Sequence, residues 1–221
     1  MGGQGAMFTD VEGTLIRLSM PSVYVRKGLE MGLFSKRRVI WAGLLTKVGK
    51  WLPASSALSA KLRYVALLHL MQGTTLEDNQ RVIRAMMPEI LDSIKPEMRL
   101  RLEEAKAAGM PIVLVSAALH EAVAVMGDML GARGEGTKVE IRDGRLTGKG
   151  YAPANGPRKA ERVQRVAAEL GVSLADSAGY GDTEPDVAFL SLMGRAVAVD
   201  PDAGLRREAL QRSWEILETT P

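Results

Sequence analysis

Residues 6–15 run Ala6-Met7-Phe8-Thr9-Asp10-Val11-Glu12-Gly13-Thr14-Leu15. The apolar run Ala6–Thr9 has the length of a short buried strand, and the acids, glycine and threonine behind it have the character of a loop. Other apolar runs also stop at a polar side chain. Pro111-Ile112-Val113-Leu114-Val115 is short and β-branched, a second buried strand, and it stops at Ser116. Ala178–Gly181 stops at Asp182, and Arg195–Val199 is a further strand. Helices separate these strands. Pro96–Ala108 is amphipathic and closed by Gly109. Leu119, Val123, Met126 and Leu130 fall at i, i+4, i+7 and i+11, and Pro157–Leu170 lies between Asn155-Gly156 and Gly171. Asp143-Gly144, flanked by Lys138–Ile141 and Arg145–Gly148, is a hairpin turn pair.

From about Pro21 to Leu91 the chain is rich in long apolar stretches and reads as helices, with breaks at Gly32, Pro53 and Gly73. Strands and helices alternate on both flanks of that block. This predicts an α/β fold, a parallel sheet with a helical insertion after the first strand. Residues 1–15 and 92–221 are expected to form the core and 16–91 a helical cap. In such a sheet the residues behind the strands converge at the carboxyl edge. Asp10 and Glu12, Ser116, and Asp182 to Asp186 should therefore meet.

The composition narrows the chemistry. The 221 residues contain no cysteine, which excludes disulfides, thiolate catalysis and cysteine-based metal sites, and only two histidines, His69 and His120. Packing roles are favoured for both, over His120 lining the site. The longest apolar run, Val39–Leu45, is too short to span a bilayer. Met1–Gly5 has neither the basic nor the apolar region of a signal peptide, so a cytoplasmic location is expected. The net charge of +3 hides an asymmetry. Ile16–Thr75 holds ten basic residues and one acid, Glu30, a local +9 against −6 for the rest of the chain. That region also holds the apolar clusters Val39–Leu45, Trp51-Leu52 and Val65–Met71. It reads either as a solvated helical surface or as a face for anionic substrates or an anionic membrane.

Separated acids at strand ends, together with a lysine, suit Mg²⁺ and phosphoryl transfer, in which a carboxylate can act as the nucleophile. Lys159 lies at i of the stripe completed by Val163, Val166 and Leu170, opposite Arg158, Arg162, Arg165 and Glu169. A lysine on an inward stripe needs a partner, and the aspartates are the candidates. Local readings compete with functional ones: Ser116 as a helix cap, Asp182 as an N-cap with Pro185 in the first turn, and Asp186 as a first-turn acid.

In order and context these segments resemble the haloacid dehalogenase superfamily. Asp10-Val11-Glu12-Gly13-Thr14-Leu15 looks like its first motif, Val113–Ala117 its second, Lys159 its third, and Gly181-Asp182-Thr183-Glu184-Pro185-Asp186 its fourth. The helical insertion and the tail Ala196–Asp202 before Trp214 are similar to the phosphoserine-phosphatase-like branch, subfamily IB, with a helical-bundle cap. The resemblance implies a Rossmann-like doubly wound core and hydrolysis of a small-molecule phosphate monoester with Mg²⁺. It implies that Asp10 is nucleophile and metal ligand, and that Glu12 is acid/base and touches the metal through its carbonyl. Thr14, Ser116, Ala117 and Lys159 would bind the phosphoryl group, and Asp182 and Asp186 the metal. Glu12 departs from the usual aspartate, as it does in the enolase-phosphatases of the same superfamily. The cap would close over the site and select the leaving group. Ile16–Val25 contains no acid to hold an ammonium, which disfavours phosphoserine and favours an anionic or amphiphilic substrate. Nucleic acid is not an expected partner, and for the basic cap peripheral contact with an anionic membrane stands as the alternative to a merely solvated surface. The alternatives are a catalytically weak member serving as a binding or membrane-surface module, and transfer to an acceptor other than water.

Overall fold

The computed structural model describes residues 4–50, 57–151, 153 and 155–220. They fall into two compact units. The first comprises Met1–Met20, Met87–Thr137 and Ala152–Pro221, and the second Pro21–Met86 and Lys138–Tyr151.

The first unit is built on a parallel sheet. Its strands are β1 (Met7–Thr9), β2 (Ile112–Leu119), β3 (Arg133–Thr137), β6 (Ala178–Gly181), β7 (Arg195–Val199) and β8 (Glu215–Leu217), in the spatial order β3-β2-β1-β6-β7-β8. The chain steps outward from β1 to β2 and β3, then returns to β1's other side and steps outward again through β6, β7 and β8. The reversal beside β1 is where a doubly wound sheet opens a crevice at its carboxyl edge. Thr9 is in register with Leu114 of β2 and Tyr180 of β6, so Asp10, Ser116 and Asp182 lie close to one level.

Parallel strands must be joined by crossovers, and helices α5 (Pro96–Ala107), α6 (His120–Leu130), α7 (Pro157–Leu170), α8 (Val187–Leu190) and α9 (Ala203–Gln211) supply them. On one face Ala6 and Phe8, Val113 and Val115, and Ala196 and Ala198 pack against Val163, Val166 and Ala167 of α7, Phe189 and Leu190 of α8, and Leu205 and Ala209 of α9. The intervening residues Met7, Ile112, Leu114, Val197 and Val199 are also buried. Burial on both faces explains why these strands read as continuous apolar runs rather than alternating ones.

The second unit contains α1 (Met20–Glu30, which starts in the first unit), α2 (Lys36–Lys50), α3 (Ala57–Met71), α4 (Leu76–Asp92, which ends in the first unit) and the hairpin of β4 (Val139–Arg142) and β5 (Arg145–Gly150). Asp143 and Gly144 have φ of 49° and 70°, the twin positive angles of the expected two-residue turn. The sequence reading kept 138–151 with the core. In the structure the hairpin groups with the helices, because Gly73 donates to the Leu146 carbonyl at 2.7 Å, Leu146 to that of Thr74 at 2.9 Å, and Tyr64 Oη to that of Tyr151 at 2.7 Å. Gly32 and Gly73 sit at helix ends with positive φ, as expected of the breaks. The break expected at Pro53 and the Trp51-Leu52 cluster lie outside the described residues.

Candidate active site

The loop 10–16 turns sharply behind β1. Leu15 and Ile16 both donate to the Val11 carbonyl, and Gly13 to that of Ile16. Gly13 has φ +83°, and a Cβ there would lie 2.1 Å from Asp182 Oδ2. Glycine is thus dictated both by the backbone angle and by the approach of the β6 carboxylate. That approach brings Asp10, Asp182 and Asp186 together, with a carboxylate oxygen from each lying within 4.8 Å of the others.

Lys159, in the first turn of α7, ties the cluster together. Its buried Nζ donates to Asp10 Oδ1 and to Asp186 Oδ1, both at 2.6 Å, and lies 5.1 Å from the centroid of the Phe189 ring. The inward stripe therefore delivers the lysine to aspartates, as its periodicity predicts. Asp186 is the most constrained acid. Its Oδ2 accepts from the backbone N–H of Asp182 (3.2 Å) and of Thr183 (3.1 Å) and from Thr183 Oγ1 (3.0 Å). Thr183, not Asp182, caps the short 3₁₀ turn Glu184–Asp186, which leaves the Asp182 carboxylate for the cluster. The hydroxyl of Thr14, expected among the phosphate-binding groups, donates instead to Asp182 Oδ1 at 2.9 Å and is wholly buried.

Ser116 and Ala117 lie within β2, which continues to Leu119 with a register shift after Val115. The reading of Leu119 as helical and of Ser116 as a helix cap gives way here: the N-cap of α6 is Leu119, and Ser116 Oγ accepts from the N–H of Ala118 at 3.1 Å. The Ala117 side is exposed at the carboxyl edge. His120 accepts the Gly136 N–H on Nδ1, a packing role.

Glu12 does not join the carboxylate cluster. Its Oε1 accepts the N–H of Met20, the first residue of α1, at 2.6 Å. The longer side chain thus reaches a helix N-terminus, a favourable place for a carboxylate. Burial pushes its pKa up to about 7 against the opposing Met20 bond.

With all three aspartates ionised against one ammonium, the buried site would carry two unbalanced negative charges. Burial, together with repulsion from Asp186, raises the Asp10 pKa although Lys159 opposes it. Burial and the charges of Asp10 and Asp186 push Asp182 up to about 8. Burial alone would lower Lys159, but Asp10 and Asp186 outweigh it and hold it protonated. Hard oxygen donors with a two-charge deficit fit a divalent cation such as Mg²⁺.

Two further residues brace the loop. Lys95, buried at the start of α5, donates to the Gly13 carbonyl and, at 2.7 Å, to Asp200 Oδ2. Sequence reasoning passed over this pair. The signal that singled out Asp10, an acid directly behind an apolar strand, also applies to Asp200 behind Arg195–Val199.

The profile of the haloacid dehalogenase-like hydrolases matches residues 7–191. Two relatives align over 96% of this chain. The inhibition of morphological differentiation protein of Streptomyces azureus is 32% identical over 216 residues, 78% of its length. A probable phosphatase of Mycobacterium tuberculosis is 26% identical over 214 residues, 74% of its length. Among solved structures, a protein of unknown function from Bordetella pertussis Tohama I superposes with a TM-score of 0.79 at 23% identity, over 97% of this chain and 98% of that one. Phosphoserine phosphatase in its apo form superposes at 0.63 and 18% identity, over 97% and 93%. At these identities the structures share the fold.

Proposed function

The chain belongs to the haloacid dehalogenase-like hydrolases and is a phosphatase, and on that premise we propose that it hydrolyses a phosphate monoester with Mg²⁺ through a phospho-Asp10 intermediate. The observation that carries the reading is Lys159 Nζ bridging Asp10 and Asp186 in a buried cluster of three carboxylates.

The Lys159–Asp10 hydrogen bond supports this route. Lys159 occupies Oδ1 of Asp10, which leaves Oδ2 to form the new P–O bond as the bond to the leaving oxygen breaks. The leaving oxygen takes its proton from Glu12. In the second half Glu12 takes a proton from water, which attacks phosphorus and displaces the Asp10 carboxylate, releasing inorganic phosphate and restoring both groups. Lys159, Ser116 and the Ala117 N–H bind phosphoryl oxygens, while Thr14 fixes Asp182. Asp10, Asp182, Asp186 and the Glu12 carbonyl would hold the metal. Bound there, Mg²⁺ would supply charge neutralisation for the phosphoryl oxygens.

The substrate reading rests on charge. Ile16–Val25 offers no carboxylate for an ammonium, and the basic helical region favours an anionic or amphiphilic phosphate over phosphoserine. The test is release of phosphate from a generic aryl phosphate, with and without Mg²⁺, by wild type and Asp10→Asn. The amide retains the shape and loses the nucleophile, so turnover should fall at least ~10³-fold with the fold intact. Activity above a few per cent of wild type in the variant would overturn the phospho-Asp10 route.

A further inference from the structure

Helix α2 reads Lys36-Arg37-Arg38-Val39-Ile40-Trp41-Ala42-Gly43-Leu44-Leu45-Thr46-Lys47-Val48-Gly49-Lys50, with basic residues at both ends and no acid. Arg37, Ile40, Trp41 and Leu44 fall at i, i+3, i+4 and i+7, one side of the helix. On that side Ile40 and Trp41 are each 62% exposed and Leu44 is 50% exposed. Val39 and Ala42, on the opposite side, are half-buried, and α2 packs against α3. Apolar residues on both sides explain why the sequence shows no clean amphipathic stripe here. One set is used in packing and the other is presented outward.

We propose that this outward face of α2 docks on an anionic lipid bilayer, with Ile40, Trp41 and Leu44 entering the headgroup–acyl boundary and Lys36, Arg37 and Lys47 meeting the lipid phosphates. Lys36, Arg37 and Lys47 are exposed, and among the described residues no carboxylate pairs with them. Arg38 is committed elsewhere, to the Gln72 carbonyl at 2.5 Å. A helix lying flat in the interface requires this combination of an apolar ridge and a cationic border. Tryptophan is well suited to that depth. The charge pattern selects among occupants. A second copy would bring the same cationic border against this one, and a nucleic acid would leave the large apolar side chains between the charges without a role. None of the described helices is long and apolar enough to cross a membrane, so the contact is peripheral. This inference is independent of the hydrolytic reading.

The test uses the full chain in sedimentation with vesicles of phosphatidylcholine alone or mixed with phosphatidylglycerol, at low and high salt. Wild type should bind the anionic vesicles at least ~10-fold more tightly than the neutral ones, with binding weakening as the Debye length shrinks. Ile40→Ser with Trp41→Ser, and separately Lys36→Gln with Arg37→Gln and Lys47→Gln, should each lose about 10-fold in partitioning while the far-UV circular dichroism and the thermal unfolding midpoint stay at the wild-type level. The triple variant should also lose most of the salt dependence. A blue shift of tryptophan emission on adding anionic vesicles should disappear in Trp41→Phe. Failure of wild type to bind anionic vesicles would overturn the proposal. So would equal binding of the apolar variant, or concentration-dependent dimerisation abolished by the same substitutions.

Discussion

Replacing Gly13 by alanine should separate catalysis from stability. The added Cβ would lie 2.1 Å from Asp182 Oδ2 and 2.8 Å from Asp182 Cγ. To restore ordinary contact the carboxylate must withdraw by more than about 1 Å. It cannot do so alone, because its Oδ1 holds the hydroxyl of the fully buried Thr14 at 2.9 Å. The backbone adds its own strain, since φ at Gly13 is +83° and an L side chain there costs about 1–2 kcal/mol. Unfolding free energy should thus fall by about 1–2 kcal/mol, plus whatever part of the clash the loop absorbs. Activity should fall more steeply, since misplacing a reacting or metal-holding group by about 1 Å costs on the order of 100-fold in rate. That loss corresponds to about 2.7 kcal/mol of barrier. Urea unfolding gives the first quantity. Mg²⁺ affinity by calorimetry, with kcat/KM on an aryl phosphate, gives the second. A folded Gly13→Ala enzyme with kcat/KM within about threefold of wild type would show that Asp182 has freedom to move and that its position is not critical.

Glu12→Gln should slow alkyl phosphates strongly and p-nitrophenyl phosphate much less, because the aryl leaving group departs without a proton donor; equal losses for the two esters in steady-state assays would assign Glu12 to loop support instead. Asp200→Asn removes the counter-charge of buried Lys95 while retaining a residue type at ease with the positive φ of 42° at that position, and equilibrium unfolding at neutral pH should show a loss of roughly 1–3 kcal/mol. Although burial opposes it, Lys95 and Thr219 hold the Asp200 carboxyl below its ordinary value. The contribution is therefore present above the unfolded pKa of about 4 and lost as pH falls through the folded one, so the gap between wild type and Asp200→Asn should narrow below about pH 4.

Much of this fold was legible because the central strands are buried on both faces and announce themselves as short apolar runs. The three carboxylates and Lys159 were legible because each follows a strand or sits on an apolar stripe. What escaped has physical causes. β3 reads Arg133-Gly134-Glu135-Gly136-Thr137, without an apolar signature. Its glycines are there for close approach to α6. A Cβ on Gly134 would lie 2.2 Å from the Val123 carbonyl oxygen, and one on Gly136 2.5 Å from His120 Cα. β8 is a three-residue edge strand, too short for periodicity to register. The end of β2 was misread because the register shift between Val115 and Leu119 puts Leu119 in the strand while its spacing to Val123 and Met126 mimics a helix. Lys95 and Asp200 lie 105 residues apart, so their pairing depends on topology rather than local pattern.

The division of labour among the buried groups follows from where each is bound. Lys159 cannot serve as the proton donor to a leaving group, because two carboxylates at 2.6 Å hold it in the charged form and would be left as uncompensated buried anions by its deprotonation. Asp186 accepts from Lys159 on one oxygen and from three donors of Asp182 and Thr183 on the other, which hold it as the anion. Asp182 is engaged with Thr14, and Asp10 is the nucleophile of the proposed route. In the proposed route that leaves Glu12 as the donor, a residue that stands apart from the cluster with its Oε1 on the Met20 N–H. The extra methylene that distinguishes it from aspartate lets the carboxyl reach that N–H from its place in the loop. Shortening it with Glu12→Asp would withdraw the carboxyl from the Met20 N–H. The substitution is therefore expected to lower the rate rather than raise it, although it restores the commoner residue of the family.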